Sequence, residues 1–263
     1  MSELASEING EILKAHSADL VGLLRLRTEP IGLKLFESRD NLMKVPGVRL
    51  KIGERRLTTC QLVSQCRLVG YTLGIVGDSV IRNSTCSDVI GLAAASEDHL
   101  SGRRMNGLWF GNGEASRQHQ DQMPRVEKDR YEGLAASPLA KGRLDPPDII
   151  LLYANPAQMI LFINGLQRND YRRIEMSITG ESACADSWGR ALSTGNSSLS
   201  IPCFAERRFG GVADDELLFA LTPEDFIEGV VGLGELSKVG IRYPILPYGT
   251  TMDPAEGLGA SYD

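Results

Sequence analysis

At 263 residues, with 42% hydrophobic and 24% charged side chains, the chain can bury one large core or two modest ones and does not have the composition of a disordered protein. The net charge of -6, with Lys and Arg interspersed rather than bunched, argues against a nucleic-acid surface, which needs a basic stripe to displace phosphate counterions; a small molecule or a protein is the expected partner. Residues 1–7 are acidic without the basic flank and apolar core of a secretory signal, and nowhere do about 18 apolar residues run together, so the expectation is a cytoplasmic protein, off the membrane, whose five cysteines are thiols or ligands rather than disulfides.

Leu4, Ile8, Ile12, Leu13, Leu20, Leu23 and Leu24 recur at helical spacings, which predicts an amphipathic helix or helix pair over residues 2–25, with Ser17 capping a second half. Residues 31–36 alternate enough for a strand with one wet face, and residues 38–54 are charged and loop-like. Thr58-Thr59-Cys60 opens a helix that Gly70 stops after Val69. Residues 71–76 can return as a strand, and Ser84-Thr85-Cys86 opens another helix. Cys66, inside the first of these helices, reads as packing. Residues 103–130 hold either an inserted hairpin followed by a polar helix over 114–123, or a linker.

The clearest unit follows Asp145-Pro146-Pro147-Asp148. The apolar run 149–153 suits a strand buried on both faces, and the helix after it has Asn155 as N-cap, Pro156 at its first position and Gly165 past its end. Residues 173–178 read as a strand leading through Thr179-Gly180 into a helix over 183–193. After Ser193-Thr194-Gly195-Asn196, residues 198–202 read as a short strand ending in Cys203. Residues 217–221 form a further strand, and Thr222-Pro223-Glu224-Asp225 starts a helix that Gly240 ends. The predicted fold class is α/β, with mixed α+β the alternative: a compact sheet flanked by helices in two loosely similar halves. The organisation read from it is an N-terminal helical segment (1–27), one α/β domain (28–246) and a surface-following tail (247–263).

Four cysteines stand at turning points of this layout. A helix over 183–193 runs about 15 Å outward, and a strand returns a similar distance at about 3.3 Å per residue, so Cys203 finishes level with Cys184. The same geometry brings Cys60 toward Cys86. Cys60, Cys86, Cys184 and Cys203 could therefore form one four-thiolate site for an iron–sulfur cluster or for zinc. Their spacings match no CxxC-type motif, and buried cysteines also serve as small hydrophobes, so core packing stays open. Cys60, Cys86 and Cys184 each fall at a helix start, where the dipole and free amides favour thiolate.

Arg207 and Arg208 follow Cys203 closely and could hold a carboxylate or phosphate bidentately, against the alternative of ion pairs with Asp214, Asp215 or Glu216. Asp186 is the candidate general acid or base, beside the ordinary reading of a first-turn aspartate matching the helix dipole. His16, His99 and His119 lack metal-ligand spacing and read as surface histidines. Gly111-Asn112-Gly113 with Ser116 only brushes a dinucleotide fingerprint, and no Walker loop, HExxH, nucleophile elbow or kinase motif set occurs.

Thr59-Cys60-Gln61-Leu62-Val63, the segment from Pro147 to Gln158, Cys184-Ala185-Asp186, Ser200-Ile201-Pro202-Cys203 with Arg207-Arg208-Phe209, and Gly240-Ile241-Arg242-Tyr243-Pro244 together resemble the domain-of-unknown-function 169 family over about residues 28–246. The resemblance implies that the four cysteine words belong to a shared pattern. It also implies a soluble protein of a kind common in anaerobes, and it brings no activity with it. The segment 103–130 departs from the family pattern.

Two functions follow as expectations. One is an iron–sulfur-dependent redox enzyme, an oxidoreductase or lyase, acting on a small anionic organic substrate held by Arg207 or Arg208, with Asp186 as proton donor. The other is a non-catalytic module that binds zinc or a small molecule through the same sulfurs, since closed four-ligand sites are usually structural. Either could form a homo-oligomer.

Overall fold

The structure is a computed structural model and describes residues 8–50, 57–77 and 85–246. In chain order, helix α1 (Gly10–Leu24) leads to strand β1 (Ile31–Phe36), helix α2 (Arg39–Met43) and the two-residue strand β2 (Arg49–Leu50). Helix α3 (Thr59–Val69), strand β3 (Leu73–Val76), helices α4 (Thr85–Val89), α5 (Glu97–Leu100) and α6 (Gly113–Gln122), and strand β4 (Gly133–Pro138) follow. After a single 3-10 turn (Leu139–Lys141) come β5 (Ile149–Ala154), α7 (Pro156–Leu166), a π-helical segment (Ala185–Gly189) that continues into α8 (Arg190–Thr194), and β6 (Ser198–Ser200). Helix α9 (Phe204–Gly210), strand β7 (Leu217–Leu221) and helix α10 (Pro223–Lys238) close the described chain. The expected tail over 247–263 lies outside the described residues.

The strands form one mixed seven-stranded sheet in the order β2-β3-β4-β1-β5-β7-β6, with β2 parallel to β3 and the other five pairings antiparallel. Helices cover both faces, which bears out the α/β expectation and explains the unbroken apolar run of β5. Ile149, Leu151 and Tyr153 join the core beneath α3, α4 and the π segment, whereas Ile150, Leu152 and Ala154 join the core beneath α1, α7 and α10. Strand β1, expected to be wet on one face, lies in the middle of this sheet and is buried on both. Lys34, its one half-exposed residue, reaches the Pro146 carbonyl at 2.6 Å.

Local signals set most element ends. Thr58 and Gln61 form a capping box on α3, and Gly70 ends that helix at φ 75°. Asn155 and Gln158 cap α7 in the same way, with Pro156 following. Other expectations need correction. Helix α1 is one helix capped by Asn9, and Ser17 is buried within it, its hydroxyl donating to Glu29 at 3.1 Å. Residues 38–50 carry α2 and β2, because Ser38 accepts from the Asn41 amide and starts a turn of helix. Residues 173–178 make no strand beyond an isolated bridge from Met176 to Leu199, since Ser177 and Thr179 are drawn instead onto Asp186.

Gly165 does not end α7; it lies within the helix, where α7 crosses α10. A Cβ on Gly165 would stand 2.5 Å from the Gly229 carbonyl oxygen, and one on Gly232 would stand 2.1 Å from the Gly165 carbonyl oxygen. Small residues thus set the separation of α7 and α10, two of the three helices that cover one face of the sheet. The expected outcome is that Gly165→Ala and Gly232→Ala each destabilise the protein by about 2 kcal/mol or more, an overpacking cost in a closed interface. Gly22→Ala, in helix α1 with nothing near its Cβ position, should raise stability by about 0.5–1 kcal/mol through the lost backbone entropy of glycine. Urea denaturation of the three variants checks this ordering.

Candidate functional site

Four elements on one face of the sheet converge on a group of thiols. Helix α3 carries Cys60 in its first turn, α4 carries Cys86, Cys184 stands immediately before the π segment, and Cys203 is the N-cap residue of α9. The Cys184 thiol lies 2.9 Å from the Cys86 sulfur. Cys60 also sits within hydrogen-bonding reach of Cys86, and Cys203 is close enough to raise the pKa of both Cys60 and Cys184. Cys203 approaches the Ala183 amide, the neighbour of Cys184. Cys66 stands apart: it packs in the core and donates to the Ala136 carbonyl at 3.3 Å.

The approach of α4 to the π segment rests on a glycine. A Cβ on Gly189 would meet Val89 at 2.4 Å and the Pro124 carbonyl oxygen at 3.0 Å. Val89 lies one turn after Cys86, so the bare backbone at Gly189 lets the two cysteine-bearing segments touch. On the other side, α9 packs on α3 with Gly210 facing Cys60.

Contact between thiols and burial together set the ionisation of Cys60, Cys184 and Cys203. Cys60, Cys184 and Cys203 are buried, and only Cys86 is partly exposed. The contact with Cys86 and then burial push the Cys60 and Cys184 thiols well above the ordinary cysteine value. Burial pushes Cys203 up to about 11, and the Ala183 and Glu206 amides offset part of that, although the sulfur makes no full capping hydrogen bond. The thiolate expected from helix starts is therefore disfavoured at Cys60 and Cys184. At Cys60 and Cys184 the contact with Cys86 and the desolvation of a charge outweigh what the free amides return.

The donor set suits a thiophilic metal. Among the described residues, no three Cys, His, Asp or Glu side chains already stand in an array that could hold an ion. Cys86 and Cys184 would have to part by about 0.9 Å to reach the roughly 3.8 Å edge of a tetrahedron with 2.3 Å metal–sulfur bonds. That opening is within the reach of rotamer changes at the ends of two short elements.

Asp186, the expected acid or base, is buried, and both its oxygens are engaged: Oδ1 accepts from Ser177 at 3.0 Å, and Oδ2 accepts from the Thr179 amide at 2.6 Å and hydroxyl at 3.0 Å. It anchors the loop before Cys184. Arg207 donates to the Ala213 carbonyl. Of the acidic residues considered as partners, Asp215 is taken by Arg27 and Glu216 by Arg67. Arg208 is exposed on α9, five residues beyond Cys203.

Sequence reasoning missed the polar groups that surround the thiols. Arg67 is buried in α3, paired with Glu216, bonded to Thr28 at 2.7 Å and seated 4.1 Å over the Tyr153 ring. Tyr153 donates to Glu206 Oε1 at 2.8 Å, and Glu206 Oε2 has no hydrogen-bond partner. Burial pushes the Glu206 carboxyl up to about 7. Two histidines expected at the surface are inside. His99 is buried, and the His119 side chain, only 5% exposed, points Nε2 toward Glu181 at 3.9 Å. A signal for Arg67 was present, because it follows Cys60 by seven residues and shares its helical stripe with Val63.

The chain matches the DUF169 family, described as uncharacterised ArCR, over residues 19–231. It therefore belongs to that family, as the resemblance in its sequence words implied. It is 23% identical over 223 residues to the uncharacterized protein MJ0308 of Methanocaldococcus jannaschii, an alignment covering 83% of this chain and 93% of the relative. No solved structure matches it.

Glu206 gives the metal-free protein a pH signature. Its folded pKa of about 7 stands above the ordinary 4.5, so the folded state binds the proton more tightly than the unfolded state does. The resulting stabilisation is complete at acid pH, declines as pH rises from about 4.5 to 7, and amounts to about 3 kcal/mol at about 1.4 kcal/mol per pH unit. Glu206→Gln should flatten this decline. Thermal melts of both proteins between pH 5 and pH 8 would show the difference shrink as pH falls, and parallel curves would remove the assignment.

Proposed function

We propose that this DUF169 protein is a metalloprotein in which Cys60, Cys86, Cys184 and Cys203 hold an iron–sulfur cluster and serve redox chemistry on a small anionic organic substrate. One observation carries the reading: Cys86 and Cys184, 98 residues apart in the chain, meet sulfur to sulfur at 2.9 Å, with Cys60 and Cys203 near enough to act on the ionisation of Cys184. Core packing has no need to bring sulfur to sulfur, and Cys66 shows what a packing cysteine looks like in this protein, alone and bonded to a carbonyl.

A bound cluster would supply electron transfer or Lewis acidity. The chain's own groups do the rest. Arg208, exposed and with no ion-pair partner among the described residues, would hold a carboxylate or phosphate in its planar fork. Arg207 keeps α9 fixed on the turn at Ala213. Glu206 Oε2 is better suited than Asp186 to hold a proton, because it lacks a partner whereas both Asp186 oxygens are engaged. Tyr153 steadies Glu206 through Oε1, and the burial of three cysteines limits water around the sulfurs.

That same burial favours a second reading, a structural zinc site in a non-catalytic module, since closed four-ligand sites are usually structural. Anaerobic purification followed by iron, sulfide and zinc analysis separates the two. Stoichiometric iron and sulfide with broad visible absorbance supports the first, stoichiometric zinc in a colourless protein supports the second, and neither metal under both aerobic and anaerobic conditions overturns both. Serine at Cys60, Cys86, Cys184 or Cys203 should remove most of the bound metal, while Cys66→Ser should leave its stoichiometry unchanged. Because the Cys60, Cys184 and Cys203 thiols are held above the ordinary cysteine value, metal affinity should rise with pH as fewer protons compete for sulfur.

A further inference from the structure

A second site stands at the opposite end of α3. Cys60 lies in the first turn of this helix and Gly70 caps its last, about 15 Å away at 1.5 Å per residue. Beyond Gly70 opens a cleft of about 390 Å³ lined by Gly47, Val48, Arg49, Tyr71, Thr72, Lys141 and Arg143. Three of these are cations, and none is a carboxylate. This imbalance is unusual in a chain with 34 acidic and 28 basic residues, and none of the three forms an ion pair among the described residues.

Each cation is instead held in place by a neutral group. Arg143 donates to the Thr72 hydroxyl at 3.1 Å, and Thr72 is buried against Ser137 with their hydroxyls 2.9 Å apart. Gly47, at φ 66°, makes room for that guanidinium: a Cβ there would stand 2.6 Å from Arg143 Nη1. Lys141 donates to the Gly70 carbonyl, a good place for a cation at a helix C-terminus. The Arg49 guanidinium stacks over the Tyr71 ring at 5.2 Å from its centroid. Hydroxyl, carbonyl and ring fix the position of these charges without neutralising them, and each leaves N–H donors unused.

We propose that this cleft binds a small polyanion, a molecule bearing at least two phosphate or carboxylate groups, through Arg49, Lys141 and Arg143. Its volume lies at the small end of the range for ligand sites, and its polar lining suits a compact charged molecule more than an apolar one. Two arginines offer paired donors to an oxyanion, and the lysine adds a point charge between the strand edge and the helix end. The site is independent of the thiols and of whatever they bind.

Isothermal titration calorimetry of the full chain tests this with two probes, inorganic pyrophosphate and citrate. Saturable binding that weakens with added salt is expected for one or both, and the probe that binds more tightly identifies phosphate or carboxylate as the preferred group. Arg49→Ala and Arg143→Ala should each weaken binding by about tenfold or more, the scale of a lost charged hydrogen bond. Arg27→Ala, which removes an exposed ion pair elsewhere, should leave it unchanged. Should Arg143→Ala fail to fold, amide NMR of the unaltered chain with pyrophosphate or citrate provides the second measurement, with shifts expected at Gly47, Tyr71 and Thr72. No saturable binding of either probe, unchanged affinity in folded Arg49→Ala, or shifts confined to other residues would overturn the assignment.

Discussion

A guanidinium held inside the protein organises the cysteine-bearing face. Arg67 cannot be left unpaired where it is, because an isolated buried charge is costly. It draws in Glu216 from the turn before β7, Thr28 from the turn before β1 and the ring of Tyr153 from β5. Tyr153 then holds Glu206 in α9. Through these links one charge sets the position of α3 and α9, the helices that present Cys60 and Cys203. Removing Arg67 would leave Glu216 buried and unpaired, a loss of about 3–5 kcal/mol for a broken buried pair, and would loosen both helices together.

Much of this framework could be read from local chemistry. The caps at Thr58 and Asn155, the proline openings of α7 and α10 and the apolar run of β5 each carry their own physical reason, and each forms where that reason puts it. The failures share a cause: the partner lies far away in sequence. Gly165 looks like a helix stop until α10 is laid across it. Residues 173–178 look like a strand until Asp186 collects their hydrogen bonds. Strand β1 looks half-wet because Gly32 and Lys34 interrupt its apolar pattern, yet it sits at the centre of the sheet.

The site was legible in part for the same reason. Helix-out, strand-back geometry is local, and it suffices to bring Cys184 near Cys203. The meeting of Cys86 with Cys184 depends instead on Gly189 accepting Val89, which no spacing reveals. Electrostatics was the least legible part. A cysteine at a helix start suggests thiolate, but the outcome is set by what the completed fold places around the sulfur, and here the contact with Cys86 and burial raise the Cys184 thiol while burial raises that of Cys203. Glu206 and His119 gave little sign of their roles, since a glutamate in a first turn and a histidine in a polar helix look ordinary until their surroundings close.

The strand order also bears on how the protein is made. Strand β1 lies between β4 and β5, so it leaves the ribosome about a hundred residues ahead of its partners, and its pairing must wait for a long loop to close. The thiol cluster has to wait longer still. Cys60 and Cys86 emerge well before Cys184 and Cys203, and α9 is seated only once Glu216 and β7 arrive. During synthesis the first two sulfurs are therefore exposed and without their later partners, open to oxidation or to stray metal, and the site can be completed only after β7 has been made.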